Sequence, residues 1–202
     1  MIPQKTELII FDLGRVLVDF DFKKAMRRLQ QHSPRTEQEI HHFFSNTPLW
    51  DAFERGTINP DDFFNALVKD LELTGLDFLR FAPMWNDIFQ VIPESIEILT
   101  QLRGRYKLAM ISNVNQMHWD HVAGQHEFMK WFDIPIASYA VGHRKPEAEI
   151  FHIALRKAGV TPQQAIFIDD LEAHIAAAKS LGIRGHQFLS AQQLKDDLKD
   201  IL

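Results

Sequence analysis

Cysteine is absent from the 202-residue sequence, which excludes disulfide bonds, catalytic thiolates and zinc sites built on thiolates. Long apolar runs are absent too, since none approaches the roughly 20 residues that a helix needs to cross a bilayer. The first apolar run is short and is cut by Asp12, so we expect no signal peptide. These absences favour a cytoplasmic protein without a membrane partner.

Basic residues are in deficit, with 22 Lys and Arg against 27 Asp and Glu and a formal net charge of −5. Proteins that bind nucleic acid usually present a basic face, so we expect no nucleic-acid partner. An anionic small molecule would have to be held by a few local groups. The content of 46% hydrophobic and 24% charged residues is typical of a globular protein.

Three short apolar runs each end at polar residues. They are residues 8–11 before Asp12, residues 108–111 before Ser112 and Asn113, and residues 165–168 before Asp169 and Asp170. Such runs are typical of strands buried on both faces of a parallel sheet. A helical pattern at 146–157 and two more candidate strands, at 134–140 and 184–189, complete a βαβ series. We predict an α/β fold, a Rossmann-like doubly wound parallel sheet.

The segment from residue 19 to residue 91 has a different pattern. Strand-like runs disappear, and amphipathic helical segments replace them at residues 22–31, 37–44, 60–73 and 76–89. We therefore predict a core domain made of residues 1–18 and 92–202. Residues 19–91 are predicted to form a helical cap domain inserted after the first strand.

The carboxylates that end two of the apolar runs suggest a metal site. The carboxyl ends of parallel strands meet at one edge of a sheet, where ligands usually bind. Asp12, Asp169 and Asp170 would meet there and repel one another unless a positive charge lay between them. Three carboxylates form the hard-oxygen ligand set that Mg²⁺ prefers. Taken alone, Asp12 would be interpreted as an ordinary turn residue.

Three further residues are candidates for binding phosphate. Ser112 and Asn113 offer a hydroxyl, an amide and backbone N–H groups ahead of a predicted helix, although this pair is also common in turns. Lys145 precedes another helix and, if it is not simply a surface lysine, its ammonium can steady a carboxylate and bind a phosphate oxygen.

The order of these segments resembles the four motifs of the haloacid dehalogenase (HAD) superfamily, and the resemblance spans nearly the whole chain. It implies the following roles: Asp12 as nucleophile, Ser112 as the phosphate-binding residue, Lys145 before Pro146 as the third motif, and Asp169-Asp170 as the metal motif. The FDLG form of the first motif is similar to that of bacterial α-D-glucose-1-phosphate phosphatase and of the N-terminal phosphatase domain of epoxide hydrolase.

The resemblance implies a Mg²⁺-dependent phosphatase that hydrolyses a small phosphorylated metabolite through an aspartyl-phosphate. The expected substrate is a sugar phosphate, with a sugar 1-phosphate as one candidate. The implied metal ligands are Asp12, the Gly14 carbonyl and Asp170, with Asp169 orienting the metal's ligands, while Ser112, Asn113 and Lys145 hold the phosphate. Two alternatives remain open: a 2-haloacid dehalogenase, or a retired HAD-like protein that only binds phosphate.

Gly14 departs from the family pattern, because most phosphatases of this family have an aspartate there as general acid. A substrate with a good leaving group would explain this departure, and we adopt that hypothesis. Otherwise a cap residue, Asp51, Glu54 or His42, supplies the proton, or the enzyme is weak or retired. His174 also departs from the usual Asp or Asn and is expected to adjust the surroundings of the metal.

Overall fold

The computed structural model describes residues 5–202 and confirms the predicted α/β fold. Its strands are β1 (Leu8–Phe11), β2 (Val18–Phe20), β3 (Phe89–Val91), β4 (Lys107–Ser112), β5 (Ile134–Ala137), β6 (Ala165–Asp169) and β7 (Arg184–Gln187). Five of them form a parallel sheet in the order β5-β4-β1-β6-β7.

Eleven α-helices are present in the described residues. They are α1 (Phe22–Gln30), α2 (Glu37–Asn46), α3 (Leu49–Glu54), α4 (Pro60–Asp70), α5 (Phe78–Asn86), α6 (Pro93–Leu102), α7 (Gln116–Gln125), α8 (Ser138–Val141), α9 (Ala148–Ala158), α10 (Glu172–Ser180) and α11 (Ala191–Asp197). No described helix combines the length and the apolar character that a bilayer span requires.

The central strand β1 positions the candidate site. It pairs with β4 on one side and with β6 on the other, so that Phe11 lies opposite both Met110 and Ile168. All four residues of β1 are buried, and separate apolar clusters cover the two faces of the sheet. Burial on both faces explains the uninterrupted apolar run in the sequence. Asp12 therefore leaves the sheet between the carboxyl ends of its two neighbours.

The predicted strand at residues 134–140 is wrong in its second half. The strand ends at Ala137, and α8 begins at Ser138. The Ser138 hydroxyl accepts a hydrogen bond from the Val114 N–H and lies 2.6 Å from the Glu54 carbonyl oxygen, to which it donates. These bonds turn the chain although its side chains stay partly apolar. The predicted strand at 184–189 similarly ends earlier, at Gln187.

Helices α1 to α5 are connected to the core through a second, small sheet. Strands β2 and β3 pair antiparallel, with Val18 opposite Val91 and Phe20 opposite Phe89. The five helices share an apolar cluster that includes Phe53, Phe63, Phe81 and Trp85. The predicted boundaries of the cap, at residues 19 and 91, fall in these two strands. The division into core and cap domains remains a prediction.

Candidate active site

Asp12 lies at the carboxyl end of β1 and is only 8% exposed. Its backbone N–H donates to the Ile168 carbonyl at 2.9 Å, which continues the ladder between β1 and β6. Its Oδ1 atom accepts a hydrogen bond from the Leu13 N–H at 2.7 Å. The strand register and the turn after it thus fix the position of this carboxylate.

Lys145 lies between two of the carboxylates. Its Nζ atom is 2.7 Å from Asp12 Oδ1 and 2.6 Å from Asp169 Oδ2, and the residue is 3% exposed. Burial alone would lower the pKa of Lys145, but the two negative charges outweigh it and raise that pKa. The side chain is therefore a fixed cation at the carboxyl edge of the sheet.

Asp169 is held in its ionised form by several donors. Besides Lys145, the Leu171 N–H donates to Oδ1 at 2.9 Å, and His174 Nδ1 lies 2.9 Å from the same oxygen. An ionised carboxylate only accepts hydrogen bonds, so Nδ1 of His174 carries the proton in this contact. Burial would raise the pKa of Asp169, but Lys145 and His174 outweigh it and hold that pKa well below its usual range.

The pKa of Asp12 is shifted upward, in the opposite direction from that of Asp169. Burial raises the pKa of Asp12 to about 7, and the negative charge of Asp169 adds to that effect, while Lys145 opposes it. Asp170 is half-buried, and burial followed by repulsion from Asp169 also raises its pKa. A cation placed between these groups would favour their ionised forms and lower both pKa values.

The three carboxylates form a cluster suited to a hard divalent cation. One oxygen from each of Asp12, Asp169 and Asp170 can be chosen so that all lie within 4.8 Å of one another. Oxygen-only donors of this kind fit Mg²⁺, which keeps several water ligands and takes few carboxylates. Asp169 already binds Lys145, Leu171 and His174, whereas Asp170 faces the cavity. This difference favours Asp12 and Asp170 as direct ligands, as the sequence predicts.

Ser112 ends β4 and Asn113 follows it, and both line the same cavity as Asp12. The Asn113 side chain, however, is engaged with the backbone of Lys145: Oδ1 accepts from its N–H at 2.8 Å, and Nδ2 donates to its carbonyl at 2.9 Å. The amide predicted to hold phosphate therefore positions Lys145 instead. The Asn113 backbone N–H and the Ser112 hydroxyl remain the candidate phosphate donors.

The carboxylates open into a cavity of about 410 Å³ between the sheet edge and the helical segment. Its apolar wall consists of Leu13, Phe20, Phe22, Phe89, Val114 and Leu171. Besides the carboxylate cluster and Lys145, its polar lining includes Glu54, His118 and Arg144. Sequence reasoning missed His118 and Arg144 as cavity residues, although Arg144 is adjacent to the predicted Lys145.

Residues 6–182 match the haloacid dehalogenase-like hydrolase family. The chain belongs to this family. The predicted superfamily is thereby confirmed, and so is the predicted enzyme class, a HAD-type phosphoric monoester hydrolase.

Among relatives, D-ribitol-5-phosphate phosphatase from Bacteroides thetaiotaomicron is 28% identical, over 96% of this chain and 97% of the relative. The crystal structure of a HAD family enzyme from Bacteroides thetaiotaomicron, in complex with magnesium and inorganic phosphate, is 25% identical with a TM-score of 0.81. That match covers 90% of this chain and 93% of the other. The predicted cofactor, Mg²⁺, is thus the metal in that crystal structure.

The 2-haloacid dehalogenase from Pseudomonas syringae pv. Tomato is similar in fold alone, at 19% identity and a TM-score of 0.66, over 98% of this chain and 100% of that one. The resemblance to glucose-1-phosphate phosphatase in particular finds no specific support. Two of the relatives are a D-ribitol-5-phosphate phosphatase and a phosphorylated carbohydrates phosphatase.

Gly14 stands where HAD phosphatases usually have an acid. The three cap residues considered as substitutes differ in whether they line the cavity. Glu54 lines the cavity and is 7% exposed. Asp51 is paired with Arg55, at 2.8 Å, and with Arg144, and it does not line the cavity. His42 is exposed on α2 and borders a separate surface depression. The structure therefore contradicts a role for His42 in this cavity.

The space beside Gly14 is occupied by a neighbouring ring. A Cβ atom built on Gly14 would lie 2.9 Å from Cε1 of Phe20, closer than carbon atoms normally approach. The phenyl ring thus fills the position where the family's acidic side chain would begin. Gly14 itself lines the cavity next to Asp12.

Proposed function

We propose that the protein is a Mg²⁺-dependent phosphatase that hydrolyses a small phosphorylated sugar or polyol through an aspartyl-phosphate on Asp12. The observation that carries the proposal is the 2.7 Å contact between Lys145 Nζ and Asp12 Oδ1 inside a cluster of three carboxylates. The cavity of about 410 Å³ lies near the lower end of the range of about 300–1,000 Å³ found for small-molecule sites.

The cluster fits the metal. Asp12, Asp170 and the Gly14 carbonyl would hold Mg²⁺, and Asp169 would orient its surroundings. When bound, Mg²⁺ supplies positive charge that offsets the repulsion between the phosphate and the Asp12 carboxylate.

The remaining roles follow from the protein's own groups. Lys145 keeps a cation beside Asp12 and favours its ionised, nucleophilic form. The Ser112 hydroxyl and the Asn113 N–H donate hydrogen bonds to phosphate oxygens. Asp12 forms a bond to phosphorus as the bond to the leaving-group oxygen breaks, and water then hydrolyses the aspartyl-phosphate.

The substrate class rests on the cavity and on the relatives. Glu54 and Arg144 provide polar contacts for hydroxyl groups above an otherwise apolar wall. The relative from Bacteroides thetaiotaomicron acts on D-ribitol 5-phosphate, which supports a polyol or sugar phosphate. Gly14 favours a second candidate, a sugar 1-phosphate, because an anomeric oxygen needs less protonation on leaving. Dehalogenation is disfavoured because displacement at carbon has no use for the Asp169-Asp170 charge.

The test is phosphate release from ribitol 5-phosphate and from a panel of sugar 1-phosphates and sugar 5- or 6-phosphates, with Mg²⁺ or with a chelator. We expect Mg²⁺-dependent release that Asp12→Asn abolishes. Asp61→Asn, which neutralises an exposed aspartate on α4, is the control and should leave release unchanged. A folded native chain that releases no phosphate from the panel, or chloride release from 2-chloropropionate without metal, would overturn the proposal.

A further inference from the structure

The proposed reaction leaves an alkoxide that needs a proton, and Gly14 cannot supply it. Among the described residues, the ionisable side chains lining the cavity are Asp12, Arg15, Glu54, His118, Arg144, Lys145, Asp170 and His174. Four of these belong to the nucleophile and metal cluster: Asp12, Lys145, Asp170 and His174. Arginine does not release its proton in the physiological range. Only His118 and Glu54 are then left as donors.

His118 is a poor donor because it is neutral. The residue is 3% exposed, its ring stacks on Trp85 with 5.6 Å between centroids, and Asn115 Nδ2 lies 3.0 Å from its Nδ1 atom. Burial lowers the pKa of His118 to about 3, so at pH 7 its second proton has already been lost. The neutral ring can donate a hydrogen bond but holds no acidic proton.

Glu54 is fixed at the cavity by contacts on both sides. It ends α3, and its backbone carbonyl accepts from the Ser138 hydroxyl, which also binds Val114 next to the site. Its buried Oε2 atom forms an ion pair with Arg144, at 2.6 Å from Nη2. Glu54 thus belongs to helix α3, and contacts with Ser138 and Arg144 of the predicted core domain fix its position.

The surroundings of Glu54 shift its carboxyl toward the protonated form. Burial raises the pKa of Glu54. The positive charges of Arg144 and Lys145 and a hydrogen bond with the Trp50 side chain oppose the rise, and the negative charge of Asp51 adds to it. The net direction is upward, as is usual for catalytic acids of this type. Arg144 is shared with Asp51, which weakens its hold on Glu54.

We propose that Glu54 is the general acid and base of the reaction, an inference that rests on the proposed phosphatase function. As the bond between phosphorus and the leaving-group oxygen breaks, its electron pair stays on that oxygen, which takes the Glu54 proton and departs as an alcohol. The Glu54 carboxylate then accepts a proton from the water that attacks phosphorus. The bond from phosphorus to Asp12 breaks, which returns the Asp12 carboxylate and a protonated Glu54.

The test compares two leaving groups in Glu54→Gln. The leaving group of ribitol 5-phosphate is a primary alkoxide that needs the proton, whereas that of 4-nitrophenyl phosphate is a stable phenolate. We expect the rate with ribitol 5-phosphate to fall about 10²–10⁴-fold, the usual contribution of positioned proton transfer. The first-turnover burst of 4-nitrophenolate should keep its rate within about threefold of the native value, with slower turnover after it, because only the second step still needs Glu54.

Glu147→Gln is the matched control, because Glu147 also links the two parts of the chain, through a 2.5 Å contact with Arg55, but does not line the cavity. If it loosens the structure, it should affect both substrates equally. An equal loss of the first-turnover rate for both substrates in Glu54→Gln, or no loss for ribitol 5-phosphate, would overturn the role of Glu54. Failure of the native chain to hydrolyse 4-nitrophenyl phosphate as well as the sugar phosphates would instead overturn the phosphatase proposal.

Discussion

The side chain of Asn113 forms hydrogen bonds with both backbone polar groups of Lys145, at 2.8 Å to the N–H and 2.9 Å to the carbonyl. The same lysine places its ammonium 2.7 Å from Asp12. The loop that carries the cation is therefore attached to the end of the neighbouring strand β4. One amide links the candidate phosphate-binding turn to the candidate nucleophile.

Asn113→Ala should lower both stability and activity. The substitution leaves two part-buried backbone groups of Lys145 unpaired, which costs about 1–3 kcal/mol in the free energy of unfolding. We also expect kcat for phosphate release to fall, since Lys145 is no longer held against Asp12. Urea unfolding and steady-state kinetics measure the two effects. Asn46→Ala, at an exposed amide on α2, is the control, and an equal effect there would contradict the prediction.

Mg²⁺ binding should depend on pH because Asp12 must lose a proton. With the pKa of Asp12 raised to about 7, the carboxyl is mostly protonated below that pH, and the metal must displace the proton. We expect the affinity for Mg²⁺ to fall by up to about tenfold per pH unit below pH 7 and to level off above it. Calorimetry at pH 6 and pH 8, in buffers of different ionisation enthalpy, measures the released protons. Equal affinity and no proton release at pH 6 would refute the prediction.

Gly56 and Gly75 form a matched pair that separates backbone strain from crowding. Both have a positive φ, +68° and +66°, which a side chain adopts at a cost of about 1–3 kcal/mol. A Cβ on Gly56 would lie 2.1 Å from the Tyr139 carbonyl oxygen, whereas one on Gly75 would meet nothing within 4 Å. Gly56→Ala should therefore destabilise the protein more than Gly75→Ala and should also lower kcat/KM, because Glu54 lies two residues away. Urea unfolding of both variants checks the order, and equal losses would contradict it.

The three central strands β4, β1 and β6 were predictable because nearly all their side chains are buried. Residues 8–11 are buried on both faces, so the apolar run and the strand β1 have the same bounds. Asp12, Ser112, Asp169 and Asp170 could be placed together because parallel strands end at a common edge. The proximity of these four residues thus follows from the order of the strands in the parallel sheet.

Several of the features that sequence reasoning missed are short elements or depend on distant contacts. Helix α3 has six residues, and β2 and β3 have three each, which is too few to show a period. The role of the Asn113 amide depends on Lys145, 32 residues away, and the pairing of Glu54 with Arg144 spans a greater distance along the chain. Local patterns carry no information on such pairs. The predicted helix at 76–89 likewise ran into β3, since its aromatic residues suit either structure.

The ring of Phe20 that crowds Gly14 is itself held by aromatic contacts, with centroids 5.4 Å from Phe22 and 6.3 Å from Phe89, and the Arg15 guanidinium lies 4.4 Å above it. The effects of substitutions at residues 14 and 20 are therefore expected to depend on each other. An aspartate introduced at residue 14 meets a ring that three neighbours keep in place, so the order of substitutions matters: residue 20 becomes smaller first, and only then is an acid at residue 14 tolerated. This coupling is measurable as non-additivity between Gly14→Asp and Phe20→Leu. Restoring an acid at residue 14 thus calls for a second change, at residue 20.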